Sequence, residues 1–150
     1  MAERVTVSVD EGVADVQLNR PEKLNGLDLV MFEALVAAGA TLAADRSLRA
    51  GVLSGAGRAF CAGLDFASFM ARRAEGRAVK DLLEREAGSP ANFAQQAAYV
   101  WTALPVPVIA AVHGACFGGG LQIALGSDIR IVAPDAQLSV MEIKWGLVPG

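Results

Sequence analysis

The chain has 150 residues, one domain's worth of sequence. Hydrophobic residues make up 53% and charged residues 19%, which excludes a disordered chain and requires a sizeable core. The net charge of −3 argues against a non-specific nucleic-acid binder, and two cysteines, Cys61 and Cys116, without CxxC spacing or a metal pattern read as reduced buried thiols in a cytoplasmic protein.

No signal peptide is expected, since Met1-Ala2-Glu3-Arg4 runs straight into a strand pattern. Val5, Val7 and Val9 alternate with polar residues, Asp10-Glu11-Gly12 turns, and Val13 to Leu18 returns as a second strand. Asn19 to Gly26 is a loop broken by Pro21. Asp28 can cap a helix with Phe32, Leu35, Val36, Gly39 and Leu42 on one face, fading near Asp45. Ala50 to Ser54 is a short buried strand, and Gly55-Ala56-Gly57 turns into Arg58 to Asp65. Arg72 to Gly88 holds nine charges and reads as a solvated segment. Ser89-Pro90 predicts a helix start, with Ser89 as cap and Pro90 at the first helical position. The apolar face of that helix is Phe93, Ala97, Val100, Trp101 and Leu104. Strand Val108 to Val112 follows, then Gly118-Gly119-Gly120, a helix to about Gly126, and strand Asp128 to Val132. Ala136 to Met141 is short and extended, with Glu142 behind it. No charge occurs from Ala87 to Ser127, but Pro105, Pro107, His113, the glycines and Gln122 interrupt any membrane span. Alternating strands and helices predict an α/β fold with buried strands.

The three consecutive glycines carry the most information. They are entropically costly, and they offer bare backbone N–H groups at the start of a helix. A dinucleotide fingerprint fails, because Ile123 occupies the sixth position counted from Gly118. A P-loop fails as well, because Gly120 and Leu121 stand where Lys and Ser or Thr are required. No serine sits in a G-x-S-x-G elbow. His113 is the only histidine, and beside a buried strand it reads as a hydrogen-bonded core residue.

What remains is a backbone site for a developing oxyanion, with a second N–H available from Ala62-Gly63-Leu64-Asp65. Such a site needs a base. The carboxylates outside the charged segment are Asp65, Asp128, Asp135 and Glu142. Glu142 lies between apolar Met141 and Ile143, which should desolvate it partly and suit it to general base work, although a salt-bridged structural role fits the same spacing.

Five stretches, in this order, span nearly the whole chain: 19–25, 57–65, 113–120, 127–130, and Glu142 with Gly146 to Gly150. They read Asn-Arg-Pro-Glu-Lys-Leu-Asn, Gly-Arg-Ala-Phe-Cys-Ala-Gly-Leu-Asp, His-Gly-Ala-Cys-Phe-Gly-Gly-Gly, Ser-Asp-Ile-Arg and, after Glu142, Gly-Leu-Val-Pro-Gly. In these motifs the chain resembles the enoyl-CoA hydratase/isomerase (crotonase) superfamily. The resemblance implies a spiral of repeated ββα units and a CoA-thioester enzyme of fatty-acid or related acyl-CoA metabolism. It assigns the oxyanion N–H groups to Leu64 and Gly119, in the stretch that includes Gly118. It places Lys23, Leu24 and the stretch Ala62, Gly63, Leu64 and Asp65 along the CoA. It implies no cofactor beyond the CoA of the substrate.

Hydratases of this family use two glutamates, and here the second is present as Glu142 while the first position holds Gln122. Glutamine has nearly the same shape but does not exchange a proton at ordinary pH. Hydration suits two carboxylates, whereas an isomerase needs one to move a proton between C2 and C4. The expectation is therefore a single base, Glu142, with Gln122 orienting water or substrate, and an isomerase-type reaction. The alternatives are a hydratase proper and a non-catalytic acyl-CoA-binding subunit. Family members continue beyond the motif at Pro149-Gly150 with helices that close the acyl pocket and build a trimer. Residues 1–150 are thus expected to be the N-terminal core domain of a longer polypeptide that forms a homotrimer or hexamer.

Overall fold

A computed structural model describes residues 3–76, 84–85 and 88–149. Most of the charged segment predicted as solvated lies outside these residues. Strands β1 (Val5–Asp10), β2 (Val13–Leu18), β3 (Ala50–Gly55), β4 (Val108–Val112) and β6 (Ile129–Val132) form a five-stranded sheet in the order β1-β2-β3-β4-β6. The β1–β2 hairpin is antiparallel and the remaining pairs are parallel. Val16, Leu53 and Ala110 are successive register partners and all are buried, so one face of the sheet is core.

Each long strand leads into a short extended piece of a second layer. Cys61 bridges Cys116 of β5 (Ala115–Phe117), and β5 pairs in parallel with β7 (Gln137–Ser139). Helices α1 (Leu29–Ala44), α2 (Phe66–Ala74) and α4 (Gly119–Leu125) follow such pieces, and α3 (Phe93–Thr102) precedes β4. The path is the expected α/β spiral of ββα units. Among the described residues no helix is long and apolar enough to cross a membrane.

Asp28 caps α1 as expected, accepting from Met31 N at 2.8 Å. The apolar face of α1 includes Phe32, Leu35 and Leu42, and Phe32 meets Phe93 of α3 with ring centroids 5.9 Å apart. Gly39 permits this close packing, because a Cβ there would lie 2.7 Å from Val100 Cβ. The predicted start of α3 is corrected. Ser89 and Pro90 lie outside the helix, and Asn92 is its cap. Asn92 and Gln95 form a reciprocal capping box, which satisfies two N–H groups, whereas Ser89 Oγ accepts from Ala91 N ahead of the helix. Helix α2 was not predicted, since its short sequence buries no residue and carries little apolar signal. Strand β5 was also missed, inside what reads as a glycine turn.

A buried polar network fixes the 19–26 loop. Asn25 is fully buried. Its Oδ1 accepts from Arg20 N at 2.8 Å, and its Nδ2 donates to Ala56 O and Ala59 O at 2.9 and 2.8 Å. Arg20 donates to Asp65 Oδ2 at 2.8 Å and to Gly26 O at 3.0 Å. Burial pushes the Asp65 carboxyl up, but the Ser68 hydroxyl and amide and the Arg20 guanidinium outweigh it, leaving its pKa below the ordinary 3.8.

Asn25→Ala strands three buried partners and should cost about 3 kcal/mol in chemical denaturation. The depressed pKa of Asp65 gives stability that is present above 3.8 and is lost as pH falls through the folded value. Asp65→Asn should therefore lower the melting temperature at neutral pH, and the difference from the native chain should shrink as pH falls below 3.8 through the folded value.

Candidate functional site

The glycine triplet is built for internal packing as much as for a ligand. Gly118 has φ +51° and ψ −122°, and a Cβ there would approach Glu142 Oε1 to 3.1 Å. A Cβ on Gly119 would lie 2.8 Å from Leu27 Cδ1, and one on Gly120 would collide with the carbonyl and side chain of Cys61. The main chain of α4 thus starts directly against the 61–64 strand segment.

Backbone pairing holds that segment on both sides. Cys61 N donates to Ala115 O at 3.0 Å and Phe117 N to Cys61 O at 3.0 Å. On the other side Ala62 N donates to Leu24 O, Leu27 N to Gly63 O and Asp65 N to Leu27 O, at 2.8–3.0 Å. This register turns the Leu64 N–H away from Leu27. Among the described residues no acceptor pairs with the N–H of Leu64 or of Gly119. Gly63 (φ +87°) joins the two, since a Cβ there would lie 2.7 Å from Phe117 O and 3.6 Å from Gly119 N.

Glu142 arrives from the other direction. Ser139 pairs with Phe117, and Gly118 N donates to Ser139 O at 2.9 Å, tying the end of β7 to the glycine turn. A 3₁₀ turn, Met141–Trp145, then swings Glu142 over Gly118. Its Oε1 accepts from Gln122 Nε2 at 2.6 Å, while Oε2 is shielded and has no partner among the described residues. The predicted desolvation thus comes from α4 and the glycine turn. Ile143, the sequence neighbour expected to supply it, is 81% exposed.

A cavity of about 610 Å³ is lined by Leu64, Gly119, Gln122 and Glu142 together with apolar groups such as Phe32 and Ile123. Ala62, Gly63 and Gly118 also line it, but Lys23, Leu24 and Asp65 do not. Lys23 is exposed on its loop, and the Asp65 side chain caps α2 and holds Arg20. Asp128 accepts from Val108 N at 2.8 Å and Asp135 is exposed, so neither joins the cavity. His113 is half-buried and shares a 2.9 Å hydrogen bond with Gly57 O, away from the cavity. Burial pushes the Cys61 thiol up to about 12 and the Cys116 thiol to about 11, so both stay protonated near neutral pH. The sequence reading missed Asn92, Gln95, Lys144 and Trp145, which also line the cavity. Their only advance signal was proximity in sequence to α3 or Glu142.

The family model described as enoyl-CoA hydratase/isomerase matches residues 8–150. The chain belongs to the enoyl-CoA hydratase/isomerase (crotonase) family. It is 36% identical over 154 residues to the human mitochondrial Delta(3,5)-Delta(2,4)-dienoyl-CoA isomerase, covering 96% of this chain and 44% of that protein. It is 33% identical to the hydroxycinnamoyl-CoA hydratase-lyase of Pseudomonas fluorescens, covering 97% and 51%. The structure of Pseudomonas aeruginosa AtuE superposes with a TM-score of 0.84 at 36% identity, covering 98% of this chain and 54% of that one. The chain thus spans about half the length of the curated relatives it matches.

The two inner glycines of this family motif separate by substitution. Gly120→Ala drives a methyl group into Cys61 backbone and should cost about 2–3 kcal/mol. Gly119→Ala meets only the end of the Leu27 side chain, which can rotate away, and should cost under about 1 kcal/mol. Denaturant midpoints of the two variants check this order.

Proposed function

We propose that this chain carries the thioester-enolate site of an acyl-CoA enzyme in fatty-acid or related acyl-CoA metabolism, and that its reaction is of the enoyl-CoA isomerase type. One observation carries the choice: an amide, Gln122, stands in place of a second carboxylate and donates to Oε1 of Glu142, whose other oxygen, Oε2, is buried. The unpaired N–H groups of Leu64 and Gly119 would hold the thioester oxygen as it gains negative charge. Glu142 would remove a proton at C2 and return it at C4. The name of the human relative, a dienoyl-CoA isomerase, agrees with this reading.

The pantetheine arm would run along Ala62 to Leu64, with Leu24 behind it in the paired loop. Lys23, exposed at the rim, would meet a CoA phosphate. Asp65 would act at one remove, by fixing Arg20 and the loop. No cofactor beyond CoA is proposed. Two buried thiols suit a reducing compartment, and we place the protein in the cytoplasm. Ile129 and Ile131 on β6, and Ile143 and Val148 after β7, are 51–88% exposed. Apolar surface of that kind favours burial against other subunits, and we propose that the protein forms a homotrimer or hexamer.

The hydratase-lyase relative supports a second reading, hydration. Full-length protein given a 3-enoyl-CoA should shift its double bond, and it should hydrate a 2-enoyl-CoA poorly. Fast hydration without any shift refutes the isomerase reading. Gln122→Glu should raise hydration at least about tenfold, and Glu142→Ala should lower the shift by about 100-fold or more. Turnover unchanged in Glu142→Ala leaves only an acyl-CoA-binding role.

A further inference from the structure

We propose that Gln122 is a positioning residue for Glu142: its amide bonds Oε1 and so fixes the carboxylate that carries the proton. The inference rests on Glu142 being the base.

Three observations carry it. Gln122 Nε2 donates to Glu142 Oε1 at 2.6 Å, a charge-assisted contact that fits the ionised carboxylate. Gln122 is itself fixed by helix α4, where its N–H donates to Gly118 O at 3.1 Å. Oε2 is shielded and unpartnered among the described residues, while the carboxylate it belongs to lines the cavity. The sequence reading gave Gln122 the task of orienting water or substrate. The structure turns its amide to the carboxylate instead.

The electrostatics leave little else to tune Glu142. Helices α3 and α4 and the 61–64 segment contain no charged residue. Among the described residues the other titratable group lining the cavity is Lys144, which is exposed and lies 5.5 Å from the centroid of the Trp145 ring. An amide donor is independent of pH. It therefore holds the carboxylate in one orientation whatever the pH.

In the proposed step, the Glu142 carboxylate takes a proton from C2 of a 3-enoyl thioester. The C–H electron pair enters a dienolate whose charge rests on the thioester oxygen. The same carboxyl group returns the proton to C4, and the double bond moves from C3–C4 to C2–C3. Atoms and electrons balance without another reactant.

The test reads enolisation alone. Full-length native protein, Gln122→Leu and Gln122→Asn are incubated with hexanoyl-CoA in deuterated buffer, and exchange at C2 is followed by mass across a range of substrate concentrations. Gln122→Asn keeps an amide but is too short to reach Oε1, and it guards against a packing defect in Gln122→Leu. Loss of the donor should leave the carboxylate free to turn. The maximal rate should fall about tenfold in both variants, with KM within about twofold. A maximal rate that stays within about twofold of the native one, or a loss confined to KM, overturns the positioning role while leaving Glu142 as base. No exchange by the native protein removes the base itself, and the functional reading falls with it.

Discussion

The contact on which the site depends is the close approach of α4 to the Cys61 strand segment. A Cβ at Gly120 has no room there, since the carbonyl and side chain of Cys61 fill the space. Because the helix starts this close, Gly119 and Leu64 line one cavity. Glycine at this position is therefore a steric requirement of the fold before it is a property of the ligand site. The entropic cost of three glycines is offset by backbone packing that no other residue permits.

A second arrangement separates charge from the cavity. Arg4, Arg20, Asp28 and Asp65 neutralise one another at distances of 2.8–3.6 Å, on the side of the loop away from the glycines. That network anchors the 19–26 loop and caps two helices with the same carboxylates. It leaves the cavity nearly free of charge, so that the Glu142 carboxylate meets an amide, backbone and apolar carbon. In such surroundings each hydrogen bond to the carboxylate weighs more than it would in water.

The second layer explains the spacing of the site. Cys61, β5 and β7 are the short ends of three successive ββα units, brought side by side. The residues just beyond each end are Leu64, Gly119 and Glu142. One structural repeat thus delivers three residues to one cavity, although they lie at distant positions in the chain.

The order of elements was legible in the sequence, because periodicity records which face of each segment is buried. Asp28, Phe32, Leu35 and Leu42 announced α1, and Val108 to Val112 announced β4. The motifs also singled out Leu64, Gly119, Gln122 and Glu142, which the fold brings to one cavity. Local signals misplaced the start of α3, since Ser89-Pro90 and Asn92 are both credible caps and only the reciprocal bond to Gln95 separates them. They missed α2, which buries none of its residues. Lys23, Leu24 and Asp65 read as part of the same ligand surface as Ala62 to Leu64, yet their side chains lie outside the cavity. The sequence by itself determined which groups are present: two backbone N–H sources, one carboxylate, and an amide where a second carboxylate would stand. The tertiary structure alone decided that this amide bonds the carboxylate, which of the two carboxylate oxygens is left unpartnered, and which side of the chain each side chain faces. Those depend on contacts between residues 20 to 60 positions apart, and local pattern carries no record of such distances.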